Sequence, residues 1–227
     1  MEQTMANDKI IFVEREVEIP LDSTDIIRGT LHIAKQAKGI IIFAHGSASN
    51  RLSPRNKYVA AALRENGFAT LLFDLLTDKE ELIDSQTRKF VFDIELLTKR
   101  LVMATRWCAE NEDTRHLPVG YFGASTGAAA ALSAAAELGN AIKAVVSRGG
   151  RPDLAINVLP SVEAPTLFIV GGDDSIVINL NKRAAKFLTV ENKLIIIPGA
   201  GHLFEEPGAL EQVSKASADW FENYLTK

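Results

Sequence analysis

The sequence lacks the features that mark several large classes of protein. A single cysteine among 227 residues excludes an intramolecular disulfide and a cysteine-based zinc site, and it favours a reducing compartment. No run of basic residues is present, and 25 Lys and Arg against 29 Asp and Glu give a formal net charge of −4. Because a mildly acidic chain is a poor binder of phosphate backbones, we expect no nucleic-acid partner.

Long apolar segments and low-complexity tracts are also missing. The longest nearly apolar stretch, residues 127–136, is about half as long as a membrane-spanning helix, and the N-terminus has no basic segment followed by an apolar core. With 47% hydrophobic and 24% charged residues, 15 Gly and 8 Pro, the chain is neither disordered nor collagen-like. We expect a soluble cytoplasmic protein with no membrane partner, a single domain over residues 1–227 in which residues 1–10 form a loose tail.

Apolar runs alternate with helical patterns, which is typical of an α/β domain with a mostly parallel sheet. Two extended segments, residues 12–19 and 26–33, predict an antiparallel pair at one edge of the sheet. The later apolar runs lack polar alternation, as expected of strands covered on both faces. These runs are residues 39–44, 68–76, 117–122, 142–146, 165–170 and 194–197. Helices are predicted over residues 54–66, 86–112 and around 210–224.

The most informative motif lies between a predicted strand and an Ala-rich helix. Residues 123–127, Gly-Ala-Ser-Thr-Gly, fit the pattern G-x-S-x-G, in which a sharp turn holds a serine in a strained conformation with its Oγ above the sheet. Glycines are needed on both sides because side chains there would clash with the adjoining strand and helix. Ser125 is therefore the candidate nucleophile. The alternative is an ordinary glycine-rich turn in which Ser125 caps the helix.

A serine nucleophile needs a histidine base and a carboxylate that orients it. His202 follows the last predicted strand, at the carboxyl end where such folds assemble their sites. Asp173 and Asp174 follow the preceding strand, and we choose Asp174 as the acid. The alternative roles for this pair are a turn, a helix cap or a cation site, although no third hard ligand is nearby and no metal site is predicted. Ser125, Asp174 and His202 occur in the chain order of α/β-hydrolases.

The loop after the first parallel strand, His45-Gly46-Ser47, adds a further element. A tetrahedral oxyanion needs two fixed donors, for which we predict the backbone N–H groups of Ser47 and Thr126. Gly46 lets the loop approach closely, and His45 holds the loop in shape rather than acting as a base. We also expect His45 and Gly46 to line the substrate-binding side of this oxyanion hole.

Two arginines follow the carboxyl end of another predicted strand. Arg148 and Arg151 are candidates for substrate binding, since an arginine can recognise an anionic group through paired hydrogen bonds. The alternative is a surface pair bonded to Asp153 or to loop carbonyls. Residues 147–164 leave room for one short helix but for no lid domain. Long lipid chains would therefore stay in contact with water, and we expect small, soluble esters as substrates.

Together these motifs resemble the α/β-hydrolase superfamily, and most of all its compact dienelactone-hydrolase-like branch. The matching residues are 45–47, 123–127, 171–174 with Val177, and 201–202, and the resemblance covers about residues 10–225. It implies a mostly parallel, eight-stranded twisted sheet with helices on both faces, and the hydrolysis of esters without a cofactor. Dienelactone hydrolase itself has a cysteine at the elbow, so Ser125 favours a serine carboxylesterase.

The predicted function is that of a serine hydrolase, a monomer or homodimer, which cleaves small-molecule esters through an acyl-enzyme intermediate. The same groups can act on thioesters or lactones, or transfer the acyl group to another acceptor, and neither fold nor triad separates these reactions. A ligand-binding module with an incidental triad is the alternative outside the enzymes.

Overall fold

A computed structural model describes residues 13–22, 25–47 and 49–226 of the chain. The predicted loose tail at residues 1–10 lies outside the described residues. The strands are β1 (Val13–Pro20), β2 (Ile26–Ile33), β3 (Ile40–Ala44), β4 (Ala69–Phe73), β5 (Val119–Ala124), β6 (Ile142–Arg148), β7 (Thr166–Gly171) and β8 (Asn192–Ile197). The helices are α1 (Pro54–Glu65), α2 (Asp78–Thr87), α3 (Ile94–Glu110), α4 (Thr126–Leu138), α5 (Ser175–Ala184) and α6 (Ala209–Leu225).

The eight strands form one sheet in the order β1-β2-β4-β3-β5-β6-β7-β8. β2 pairs antiparallel with both β1 and β4, and every other pairing is parallel. The register places Ala44 beside Gly123 and Ala124 beside Arg148. The parallel strands thus end together at one edge of the sheet, and the loops that follow them start from neighbouring positions.

Helices cover both faces of the sheet, as expected for strands that are apolar on both sides. α3 and α4 pack on one face with Tyr121 of β5, whereas α1 and α6 pack on the other face with Phe122. The middle of the sheet is completely buried; Ile40, Ile41 and Ile42 are 0% exposed. Of the helices in the described part of the chain, none is both long and apolar enough to span a membrane.

The helix predicted over residues 86–112 is wrong in its first turns. The structure has two helices there, and α2 ends at Thr87 before α3 starts at Ile94. Arg88 adopts a left-handed conformation with φ of 53°, and the Asp84 carboxylate accepts the backbone N–H groups of Phe90 and Val91. These hydrogen bonds end α2, because they hold the chain in a non-helical turn.

The segment between β6 and β7 is short and contains little regular structure. Two single 3₁₀ turns, Pro152–Ala155 and Leu159–Ser161, stand where the sequence left room for one short helix. No separate lid domain is present over this segment.

Candidate active site

Ser125 lies at the junction of β5 and α4 in a strained backbone conformation. Its φ and ψ are 52° and −120°, a region that residues other than glycine rarely adopt and that is concentrated at functional sites. A Cβ at Gly127 would overlap the Ala44 carbonyl, and one at Gly123 would overlap the backbone of Ala128. Ser125 makes no helix-capping hydrogen bond. The hydroxyl therefore does not cap α4, which disagrees with a simple capping role.

His202 and Asp174 meet in loops that follow neighbouring strands. Nδ1 of His202 lies 2.7 Å from Oδ2 of Asp174, while Oδ1 of Asp174 accepts the Val177 N–H at 3.3 Å. Asp173 is exposed and forms no hydrogen bond or ion pair with His202, so Asp174 is the carboxylate that the fold pairs with this histidine. A carboxylate bound at Nδ1 leaves Nε2 as the free acceptor of the ring.

Ser125 and His202 adjoin the same short segment of backbone. The Ser125 N–H donates to the Arg148 carbonyl at 3.2 Å, and a Cβ at Gly149 would lie 3.5 Å from Cε1 of the His202 ring. Among the residues that the structure describes, Ser125 Oγ makes no hydrogen bond to this ring. Hydrogen bonds of this kind are often long in unliganded enzymes and shorten once substrate is bound.

The loop after β3 approaches the elbow closely. A Cβ added at Gly46 would lie 2.9 Å from the Cβ of Ser125, and the Ser47 N–H donates to the Thr126 hydroxyl at 3.1 Å. Thr126 is the first residue of α4, and the N–H groups in the first turn of a helix have no intrahelical acceptor. Ser47 and Thr126, whose backbone N–H groups are the two donors predicted from the sequence, thus contact each other next to Ser125.

His45 ties this loop to the neighbouring strand end. Its Nε2 accepts the Leu75 N–H at 3.0 Å, so Nδ1 carries the proton and donates to the Gly46 carbonyl at 3.0 Å. The side chain is buried, and burial lowers the pKa of His45 below its ordinary value. With both ring nitrogens in use, His45 supports the loop.

The two candidate arginines differ sharply in their surroundings. Arg151 is partly exposed and forms a bidentate ion pair with Asp153, with N–O distances of 2.8 and 2.7 Å. This ion pair corresponds to the alternative considered for the arginines from the sequence, a surface pair with Asp153. Arg148 is buried, and its Nη1 has no hydrogen-bond partner among the described residues.

A cavity of about 520 Å³ opens beside the loop that follows β3. His45 forms part of its wall, together with residues of the first turn of α1, the loop after β4, and α2. Neither Ser125 nor His202 lines it, so the cavity adjoins the candidate residues without containing them. The α2 wall of this cavity was not expected from the sequence, because that helix was not predicted. In the described part of the chain, no three His, Cys, Asp or Glu side chains could hold a metal ion.

The model of the Dienelactone hydrolase family matches residues 27–226. The chain belongs to this family. The crystal structure of a dienelactone hydrolase from Anabaena variabilis is 55% identical, with a TM-score of 0.91 over 94% of this chain and 98% of that one. Est1E from Butyrivibrio proteoclasticus shares the fold at 16% identity, with a TM-score of 0.77 over 93% of this chain and 99% of that one.

A longer relative from Mycobacterium tuberculosis strain H37Rv is 57% identical over 199 residues. It is provisionally named as a phosphoribosyl transferase. The match covers 88% of this chain but only 44% of the relative, so this chain spans less than half the length of that protein. The name describes the whole relative and therefore says little about the matched part. Fold and family together support a hydrolase.

Proposed function

We propose that this member of the family is a serine carboxylesterase that hydrolyses small esters through an acyl-enzyme intermediate. The observation that carries the proposal is the hydrogen bond of 2.7 Å between His202 and Asp174, beside a strained Ser125 whose side chain caps no helix. An ordinary glycine-rich turn needs neither the strain nor the paired histidine. Residues held in such strained backbone conformations cluster at active sites, where the strained geometry is part of the mechanism.

In the proposed reaction, Nε2 of His202 takes the Ser125 proton as Oγ attacks the ester carbonyl. Asp174 accepts the Nδ1–H, which fixes the tautomer and stabilises the charged imidazolium. The tetrahedral intermediate then expels the alcohol, which receives the proton from His202. Water deprotonated by His202 attacks the acyl-enzyme, and the acid leaves with Ser125 restored.

The negative charge on the carbonyl oxygen would lie against the N–H groups of Thr126 and Ser47. Loss of one such donor costs about 3–4 kcal/mol of transition-state stabilisation in a comparable enzyme. The Ser47 N–H is already bonded to the Thr126 hydroxyl. The oxyanion would therefore share that N–H in a three-centre hydrogen bond, or displace the hydroxyl from it.

The short segment between β6 and β7 bears on the size of the substrate. Its two 3₁₀ turns, of four and three residues, are too short to form a lid domain over the carboxyl edge of the sheet. Because burial of a methylene group contributes about 0.8 kcal/mol, an uncovered site gains little from a long acyl chain. Short esters are therefore the proposed substrates.

Hydrolysis of p-nitrophenyl butyrate by the wild-type protein and by Ser125→Ala tests this function. We expect the variant to lose activity by a factor on the order of 10⁶, as in other serine hydrolases, and to lose labelling by a fluorophosphonate probe. Undiminished turnover in Ser125→Ala would refute the mechanism. A series of esters, thioesters and lactones of increasing acyl length then identifies the preferred bond, and labelling without turnover of any member would indicate another acyl acceptor.

A further inference from the structure

A buried amide on α5 joins two parts of the candidate site. Asn181 is 0% exposed, and its Nδ2 donates to the Gly150 carbonyl at 3.0 Å and to the Val177 carbonyl at 2.8 Å. Both neighbours are acceptors, so only the amide nitrogen can face them. Oδ1 of Asn181 has no hydrogen-bond partner among the described residues. A leucine of similar size would avoid the cost of that buried acceptor, so the two donated hydrogen bonds are what the asparagine adds.

One end of this bridge lies on the helix that carries the candidate acid. Val177 is in the first turn of α5, and its N–H donates to Oδ1 of Asp174 at 3.3 Å. The carbonyl of the same residue accepts the Asn181 amide. Oδ2 of Asp174 in turn binds Nδ1 of His202. The first turn of α5 thus connects the Asn181 amide to the carboxylate that pairs with the candidate base.

The other end of the bridge lies on the turn that follows β6. The Ser125 N–H donates to the Arg148 carbonyl at 3.2 Å, and the Arg151 N–H donates to the Ser125 carbonyl at 3.1 Å. Gly150 lies between these two arginines in a close fit, because a Cβ there would overlap Oγ of Ser147. The turn is therefore fixed to the candidate nucleophile by backbone hydrogen bonds on both sides of Gly150.

We infer that Asn181 is a positioning residue of the candidate site. Its amide holds Asp174, through the first turn of α5, at a fixed distance from the turn that is bonded to Ser125. The inference rests on the proposed esterase function and adds to it a residue that does not touch the substrate. Because a misplacement of about 1 Å can cost 10²-fold in rate, we expect this bridge to affect turnover more than substrate binding.

Asn181→Ser tests the bridge. A serine hydroxyl can still donate to the Val177 carbonyl four residues earlier, but it is one atom too short to reach Gly150. For p-nitrophenyl butyrate, we expect kcat per titrated active site to fall about 10- to 100-fold, while KM changes by less than about threefold. Asn179→Ser replaces an exposed asparagine on the same helix and should change neither value.

The melting temperature separates positioning from support of the fold. Unchanged kcat in Asn181→Ser, together with a lower melting temperature, would mean that the amide only stabilises the packing of α5, and this result would overturn the inference. Asn181→Leu is the second variant, for the case in which the serine variant does not fold. It keeps a similar volume and removes both donors, so the same loss of kcat is expected from it.

A double-mutant cycle shows whether Asn181 acts through Asp174. Substitutions of residues that act as one unit are not additive. In an Asp174→Asn background, we therefore expect Asn181→Ser to lower kcat by less than about threefold. The same fold-loss in both backgrounds would show that the effect of Asn181 does not pass through Asp174, and the inference would fail.

Crystal structures keep this inference distinguishable from the esterase proposal. In Asn181→Ser protein, we expect the Cα atoms of Asp174 and Gly150 to lie farther apart than in the wild type, by on the order of 1 Å. An unchanged separation contradicts the positioning role, whether or not the protein hydrolyses esters. If the separation grows but the wild-type protein hydrolyses no ester, the esterase proposal fails and the bridge between α5 and the turn stands.

Discussion

The candidate site has two corners, which are held in place by different means. The His202 corner consists of the loops that carry Asp174 and His202, and the predicted oxyanion corner is the loop that carries His45 and Ser47. Backbone hydrogen bonds position the His202 corner: the Gly172 N–H donates to the Ile197 carbonyl and the Asp173 N–H to the Ala200 carbonyl. Side chains position the oxyanion corner, where His45 binds the Leu75 N–H. A substitution at the first corner should therefore remove chemistry without moving the chain. At the second corner, replacing a supporting side chain should move the donors themselves.

The largest effect that distinguishes the corners is expected for Asp174→Asn. This change keeps the shape of the side chain but removes the charge that orients His202, and the equivalent loss in serine proteases is about 10⁴-fold in kcat. We expect a similar loss of esterase activity with a melting temperature close to that of the wild type. Asp173→Asn, one residue earlier and exposed, is the matched control and should keep full activity. Equal losses in both variants would show that Asp174 is not the orienting acid.

A smaller loss is expected when the oxyanion corner loses its support. His45→Leu leaves the buried Leu75 N–H without a partner and frees the loop that carries Ser47. We expect kcat to fall about 10²-fold, as for a misplaced oxyanion donor, with about 1–3 kcal/mol lost from the free energy of unfolding. His116→Leu replaces an exposed histidine and serves as the control. A variant that keeps wild-type kcat and melting temperature would show that His45 does not hold the loop.

The smallest expected effect is on the pH dependence of stability. Because the pKa of His45 is lower in the folded protein than in the unfolded chain, the unfolded chain binds more protons below about pH 6.5. Stability should fall as the pH drops from 7 towards 5, by at most about 1.4 kcal/mol per pH unit for each such proton. His32, whose pKa burial also lowers, adds a contribution of the same sign. Denaturant melts of wild type and His45→Leu measure the difference, and identical slopes would contradict the assignment.

Much of the strand pattern could be predicted because buried parallel strands are continuous apolar runs. The elbow was recognisable for a related reason, since Gly123 and Gly127 stand where any side chain would overlap a neighbouring backbone. The break between α2 and α3 was not predictable from periodicity. The Asp84 carboxylate ends α2 through two backbone N–H groups, and this competition depends on a local fold that apolar spacing does not encode.

The arginines show a second limit of the sequence. Arg148 and Arg151 lie three positions apart after the same strand, and nothing in their spacing separates a buried charge from an exposed ion pair. The difference depends on strand alternation: Arg148 is the last residue of β6 and faces Phe122, whereas Arg151 lies beyond the strand beside Asp153. Only the packed structure shows which donors remain without a partner.

One of the two outer strands of the sheet, β1, has a consequence for association. Among the residues that the structure describes, β1 pairs only with β2, so its second edge carries backbone groups that another strand could join. Its sequence, Val-Glu-Arg-Glu-Val-Glu-Ile-Pro, places four charged side chains among eight residues and ends with proline, which has no N–H to donate. Charges and proline on an edge discourage edge-to-edge pairing. A continuous sheet running from one copy of the protein into the next is therefore disfavoured at this edge, and so is fibril growth from it.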